Sequence, residues 1–138
     1  MQFGVRVPFV EALGFALERS EDGESTLTYA PQPAHLNSFG VTHGGAVMTL
    51  LDVTMAVAAR SLQPEQGVVT VEMKTSFMRP AKVPAGVALV ARGLLQHRTR
   101  SMAFTEGRVY DAEGQLCAVA TGTFKYVVRR ESANPSTD

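Results

Sequence analysis

The element order in the sequence is that of an α+β domain, one long helix laid against an antiparallel sheet of about five to six strands. Three observations predict it. Between Gly45 and Leu62, the apolar residues Val47, Leu50, Leu51, Met55, Ala58 and Leu62 recur at the i, i+3, i+4 spacing of an amphipathic helix. After Gly67 the period drops to two, with Val69, Val71, Met73, Thr75 and Phe77 on one face and Thr70, Glu72, Lys74 and Ser76 on the other. Three further strand-like runs follow at residues 86–97, 101–110 and 115–128, with the turn string Asp111-Ala-Glu-Gly114 between the last two.

Each element has its own local reason. Residues 7–13 read as a short helix with Pro8 in its first turn and Gly14 at its exit. Residues 24–30 alternate, carry Thr and Tyr, and stop at Pro31 and Pro33, as a strand does. A polar loop leads to the long helix, which Pro64 and Gly67 close. Its small residues Ala46, Ala56, Ala58 and Ala59 are expected to let the sheet approach closely. The next strand ends at Arg79-Pro80, and the last three runs are expected to form an antiparallel meander. One helix cannot cover both faces of such a sheet, and its edge strands are long, so dimerisation through an edge is the expected remedy.

Length and composition narrow the function. A chain of 138 residues, 45% apolar, is about one domain's worth, so residues 1–128 are expected to form one domain and the polar stretch 129–138 a frayed tail. A single cysteine, Cys117, permits no internal disulfide, and the N-terminal residues lack a clean apolar signal core; a cytoplasmic, soluble protein is the expectation. The most apolar stretch is too short to span a membrane and contains Asp52. The zero net charge conceals an asymmetry. Residues 1–72 carry three Lys or Arg against eight Asp or Glu, and residues 73–138 carry ten against five. Between Met73 and Thr105 there are six cations and no acid, which suits an anionic partner, while a pI near 6.8 argues against a nucleic-acid surface.

The residues with chemical potential cluster at the start of the long helix. Gly44 and Gly45 stand where the helix begins, so their N–H groups lack intrahelical acceptors and point outward at the positive end of the dipole. That is the geometry of an oxyanion hole, though a glycine-rich turn into a helix produces the same string. Asp52 is a carboxylate among Leu50, Leu51 and Val53, placed to act as a general base or nucleophile if partly buried, or to face solvent if not. His43, Asn37 and Thr70 complete the set as positioning groups. His35 and His97 lack a partner at metal-ligand spacing, and no metal site is expected. Cys117 reads as a buried hydrophobe. No nucleophile elbow, phosphate loop or dinucleotide fingerprint is present. Phe39, Met48, Met55, Phe77 and Met78 are candidates for an acyl pocket or plain core.

Asn37, Gly40, His43, Gly44, Gly45, Leu51 and Asp52, with the later strand ending Arg79-Pro80-Ala81 and the closing Gly122-Thr-Phe124, resemble the hotdog-fold acyl-CoA thioesterases over roughly residues 8–128. The likeness is greatest to the phenylacetate-pathway type and the superfamily member 2 type. The resemblance implies a long central helix wrapped by a curved antiparallel sheet, paired as homodimers or homotetramers with the active site at the dimer interface. It implies Asp52 as base or nucleophile, Gly44 N–H as carbonyl polariser, His43 beside the thioester, Asn37 as the loop amide and Thr70 as the residue orienting water. It implies hydrolysis of aryl-acetyl or medium-chain acyl-CoA with no cofactor, coenzyme A being part of the substrate. Gly45, Arg79, Pro80, Lys82, Arg98 and Arg100 are the expected substrate-binding residues, the cations serving the phosphates. Enoyl or hydroxyacyl hydratases share this fold, but neither of their motif strings, D-x-N-P-x-H or H-x-F-P-G, occurs here. A non-catalytic acyl-CoA-binding module is the remaining alternative.

Overall fold

The computed structural model describes residues 3–128; the expected tail at 129–138 lies outside them. Helix α1 (Pro8–Leu13) starts on its proline and ends at Gly14, whose φ of 80° is a left-handed cap that glycine adopts without steric cost. Strands β1 (Ala16–Glu21) and β2 (Glu24–Tyr29) follow, then a 3-10 turn (Pro33–His35) and helix α2 (Gly44–Arg60). Strands β3 (Gln66–Phe77), β4 (Leu89–Arg98), β5 (Met102–Tyr110) and β6 (Leu116–Val128) complete the chain. The six strands form one antiparallel sheet in the order β1-β2-β4-β5-β6-β3, and α2 touches every strand of it. The meander β4-β5-β6 is as expected. β3 crosses the sheet to its far edge, pairing with β6 along one side.

Three details differ from the sequence expectation. β1 is an additional strand: ALERSE has only Leu17 as a buried hydrophobe and a bulge after it, so it lacks an alternating signature. The signal that would have found it is Asp22-Gly23, both at positive φ (54° and 78°), the two-residue hairpin turn between β1 and β2. Leu62 lies beyond the end of α2 and is exposed. In β3 a bulge at Val71 breaks the alternation, since Thr70 pairs with Phe124 and Glu72 with the adjacent Thr123. Thr70 therefore shares the helix-facing side with Val68 and Met73, and Val69 and Val71 turn to solvent.

The core is the seam between α2 and the sheet, with Val47, Leu50, Leu51 and Met55 packed on Leu27, Leu89, Val109 and Phe124. Ala58 and Ala59 of the helix are fully buried, and glycines of the sheet also stand close beneath α2. A Cβ at Gly93 would stand 2.5 Å from Ser25 Oγ and 2.7 Å from Thr54 O, groups already joined by a buried 2.6 Å hydrogen bond from the Ser25 hydroxyl. Gly93→Ala is expected to lower stability by about 1–3 kcal/mol through overpacking, read as a reduced denaturant midpoint at unchanged slope.

Candidate active site

His43 is the N-cap of α2. Its ring Nδ1 accepts a 2.8 Å hydrogen bond from Gly45 N–H, so in the neutral ring the proton sits on Nε2, at the exposed side. The cap separates the two glycines. Gly45 N–H is committed to His43 and is not free for a ligand, which corrects the expectation that both amides are available. Gly44 N–H, at the first helical position, has no partner among the described residues and is the open donor. Gly45 contributes smallness instead, because a Cβ there would lie 3.1 Å from His43 Nδ1.

The loop before the helix is built by Asn37. Its Oδ1 accepts from Phe39 N (2.9 Å) and Val41 N (3.2 Å), while its backbone bonds to Val41 and Gly40. Only the amide NH2 of Asn37 is left to face a ligand. Two turns further along α2, Asp52 is partly buried, and its Oδ1 accepts a 2.7 Å hydrogen bond from the Thr70 hydroxyl across the gap to β3. The β3 bulge makes this contact possible by keeping Thr70 on the helix side. The single hydroxyl proton is spent on Asp52, so Thr70 orients the carboxylate and has only lone pairs for a water. Asp52 Oδ2 has no hydrogen-bond partner among the described residues, and Asp52 lines a cleft.

Gly44 and Asp52 are eight helical residues apart, about 12 Å at 1.5 Å per residue. A carbonyl under attack must lie about 3 Å from both its nucleophile and its oxyanion donor. Within one chain the two groups stand well apart for a single reacting carbonyl. The cations divide the same way. Arg79, Pro80 and Lys82 are exposed beside the start of α2, where Thr42 N donates to Ala81 O. Arg98 and Arg100 are exposed at the other end of β3, where Ser101 O meets Tyr126 N opposite Val68. Nine residue steps of β3, from Val68 to Phe77, about 30 Å, separate the two groups within one chain.

Other candidates resolve as structure. His35 Nδ1 is hydrogen-bonded to the Tyr29 hydroxyl at 2.7 Å, and burial pushes that phenol up to about 12. His97 stacks on Phe104. Cys117 is fully buried, and burial foremost raises its thiol pKa, so it is no nucleophile. No cluster of His, Cys, Asp or Glu fit for a metal occurs among the described residues, and no helix there is long and apolar enough to cross a membrane. Of the five acyl-pocket candidates, Met55 is core, and Phe39, Met48, Phe77 and Met78 are exposed. None lines a cleft of about 870 Å³ that has Asp52 and Thr70 in its wall together with residues of α1, α2 and the start of β3.

The chain is similar to several known proteins. A protein of Saccharolobus solfataricus, itself only a candidate esterase, is 31% identical over 120 residues, 87% of this chain and 77% of that one. Human acyl-coenzyme A thioesterase 13 is 34% identical over 85 residues, 61% of this chain and 59% of that one. A solved variant of the phenylacetic acid degradation protein PaaI from Thermus thermophilus superposes with a TM-score of 0.76 at 30% identity, covering 86% of this chain and 98% of that one. The thioesterase superfamily model matches residues 39–118, a span that begins two residues after Asn37 and takes in His43, Gly44, Asp52, Thr70 and the whole of β3. With a hotdog sheet around its helix and that match over more than half its length, the chain belongs to the thioesterase superfamily.

Proposed function

We propose that the protein hydrolyses acyl-CoA thioesters, aryl-acetyl or medium-chain, to the free acid and coenzyme A at a site shared between two copies of the chain. The observation that carries this is the Thr70–Asp52 pair: a carboxylate held by one oxygen with the other free is a placed general base. Asp52 takes the proton of a water attacking the thioester carbonyl. The partner's Gly44 N–H stabilises the oxyanion, with the partner's His43 and Asn37 beside it, and collapse of the tetrahedral intermediate expels the CoA thiolate.

The 12 Å gap within one chain and the form of β3 both support the shared site. Among the described residues β3 is an edge strand with no strand neighbour on its other side, and Val69, Val71 and Phe77 are exposed along it. Thr70 lies at Asp52, and the Phe77 ring is 3.5 Å from where a Gly44 Cβ would be. Antiparallel pairing of two β3 edges about a two-fold axis near Met73 and Lys74 sets Thr70 opposite the partner's Phe77, and so Asp52 near the partner's Gly44. The same axis brings the partner's Arg79 and Lys82 to the end of the sheet holding Arg98 and Arg100, a cationic rim suited to the CoA phosphates. Pairs of such dimers would make a homotetramer. A cytoplasmic location fits a CoA-dependent reaction.

A panel of acyl-CoA esters read by release of free thiol tests the reaction; hydration of crotonyl-CoA without thiol release would point to a hydratase instead, and binding without turnover to an acyl-CoA-binding module. Arg79→Ala is expected to raise KM about tenfold for CoA esters and leave KM for the matching pantetheine thioester unchanged. Equal increases for both would remove Arg79 from the phosphate site.

A further inference from the structure

The 870 Å³ cleft has a direction. It begins at Asp52 and Thr70 and ends at Arg60 and Gly67. Asp52, Ala56 and Arg60 follow one another at i, i+4, i+8, so a single stripe of α2 forms its floor. Between the polar ends the walls are apolar: Val57 on α2, Val68 on β3, Phe124 on β6, and Val10, Phe15 and Leu17 on the N-terminal side. Arg60 closes the far end with its guanidinium turned to the carbonyls of Gln66 and Pro64, at 3.0 Å each, and the Arg6–Glu11 ion pair stands on the rim. From Asp52 to Arg60 the stripe runs about 12 Å, the span of some eight to ten carbons of an extended chain.

We propose that this cleft receives the acyl chain of the substrate, that it is matched to straight aliphatic chains of about eight to ten carbons, and that Ala56 is the residue that gauges their length. The proposal rests on the thioesterase reading above and concerns the same site. The cleft is lined by Asp52 at one end, so a carbonyl held at this base feeds its substituent directly into it. Between its ends the side chains on α2, β3 and β6 and those of Val10, Phe15 and Leu17 offer apolar contact, and the polar side chains Arg6 and Glu11 are paired with each other at the rim. An aryl-acetyl group reaches about one helical turn, to Ala56, and leaves the far half unfilled. Ala56 has the smallest side chain on that floor, so a larger residue there narrows the passage halfway, the more so the bulkier it is.

The test is a chain-length series from acetyl- to dodecanoyl-CoA on the wild-type protein and on Ala56→Phe, read by thiol release. For the wild type, kcat/KM is expected to climb roughly threefold per methylene and level off near eight to ten carbons. In Ala56→Phe the ratio of kcat/KM for decanoyl-CoA to that for butyryl-CoA is expected to fall at least about 10-fold, with Ala56→Val falling between the two. A wild-type profile flat in chain length overturns the proposal and leaves the hydrolase reading standing, without any variant having to fold. So does an equal loss at every chain length in a folded Ala56→Phe protein, which would put the pantetheine arm in the cleft. No turnover of any ester removes the hydrolase reading, and this proposal with it.

Discussion

Asp52→Ala is expected to lower kcat by about 10²- to 10⁴-fold with little change in KM, because it removes the base that acts only as the bond to water forms. The geometry sets what else must hold. Thr70→Ala leaves the carboxylate in place but frees it to rotate, so its effect is expected to be smaller, on the order of tenfold in kcat. Steady-state kinetics with a good acyl-CoA ester, alongside thermal unfolding to show intact folding, measures both. An Asp52→Ala protein that turns over within a few-fold of wild type would end the role given to this carboxylate.

Gly44→Pro is the second large effect, an expected loss of about 10²- to 10³-fold in kcat from deleting one oxyanion donor. The local geometry makes this substitution unusually clean. Gly44 is the first residue of α2, where proline is favoured and its missing N–H costs no helical hydrogen bond. The preceding residue, His43, already has φ −57° and ψ 136°, the extended conformation that a following proline requires. Gly44→Ala is the control: its Cβ meets only the Phe77 ring, at 3.5 Å, and it keeps the N–H, so it is expected to retain most activity. The two inactive variants also test the shared site. Co-expressed Asp52→Ala and Gly44→Pro chains assort so that a mixed dimer holds one intact and one doubly defective site. About a quarter of wild-type activity is then expected from two proteins nearly dead alone. Failure to complement would place both groups in one chain, against the 12 Å that separates them.

Most of the frame was legible because it depends on local periodicity. α2 follows from the spacing of Val47, Leu50, Leu51 and Met55, and β4 to β6 from alternation and the Asp111–Gly114 turn. β1 was hidden since a partly exposed edge strand needs few hydrophobes, and only Asp22-Gly23 betrays it. The glycine row under the helix also escaped, because nothing in one strand reveals that Gly93 and Gly107 pair directly beneath α2.

The sequence by itself determined which groups are available: a glycine-led helix start, a carboxylate two turns along it, a threonine in the next strand and an excess of cations in the second half. Those are matters of residue type and spacing along one element. The tertiary structure decided which of them are free to act. The His43 cap takes Gly45 N–H and leaves Gly44 N–H; the bulge at Val71 turns Thr70 toward Asp52; the crossover of β3 to the sheet edge sends Arg79 and Arg98 to opposite ends. Each depends on a contact between segments distant in sequence or on a one-residue slip in register. A strand's alternation carries no record of where it slips, so only the packed chain shows it.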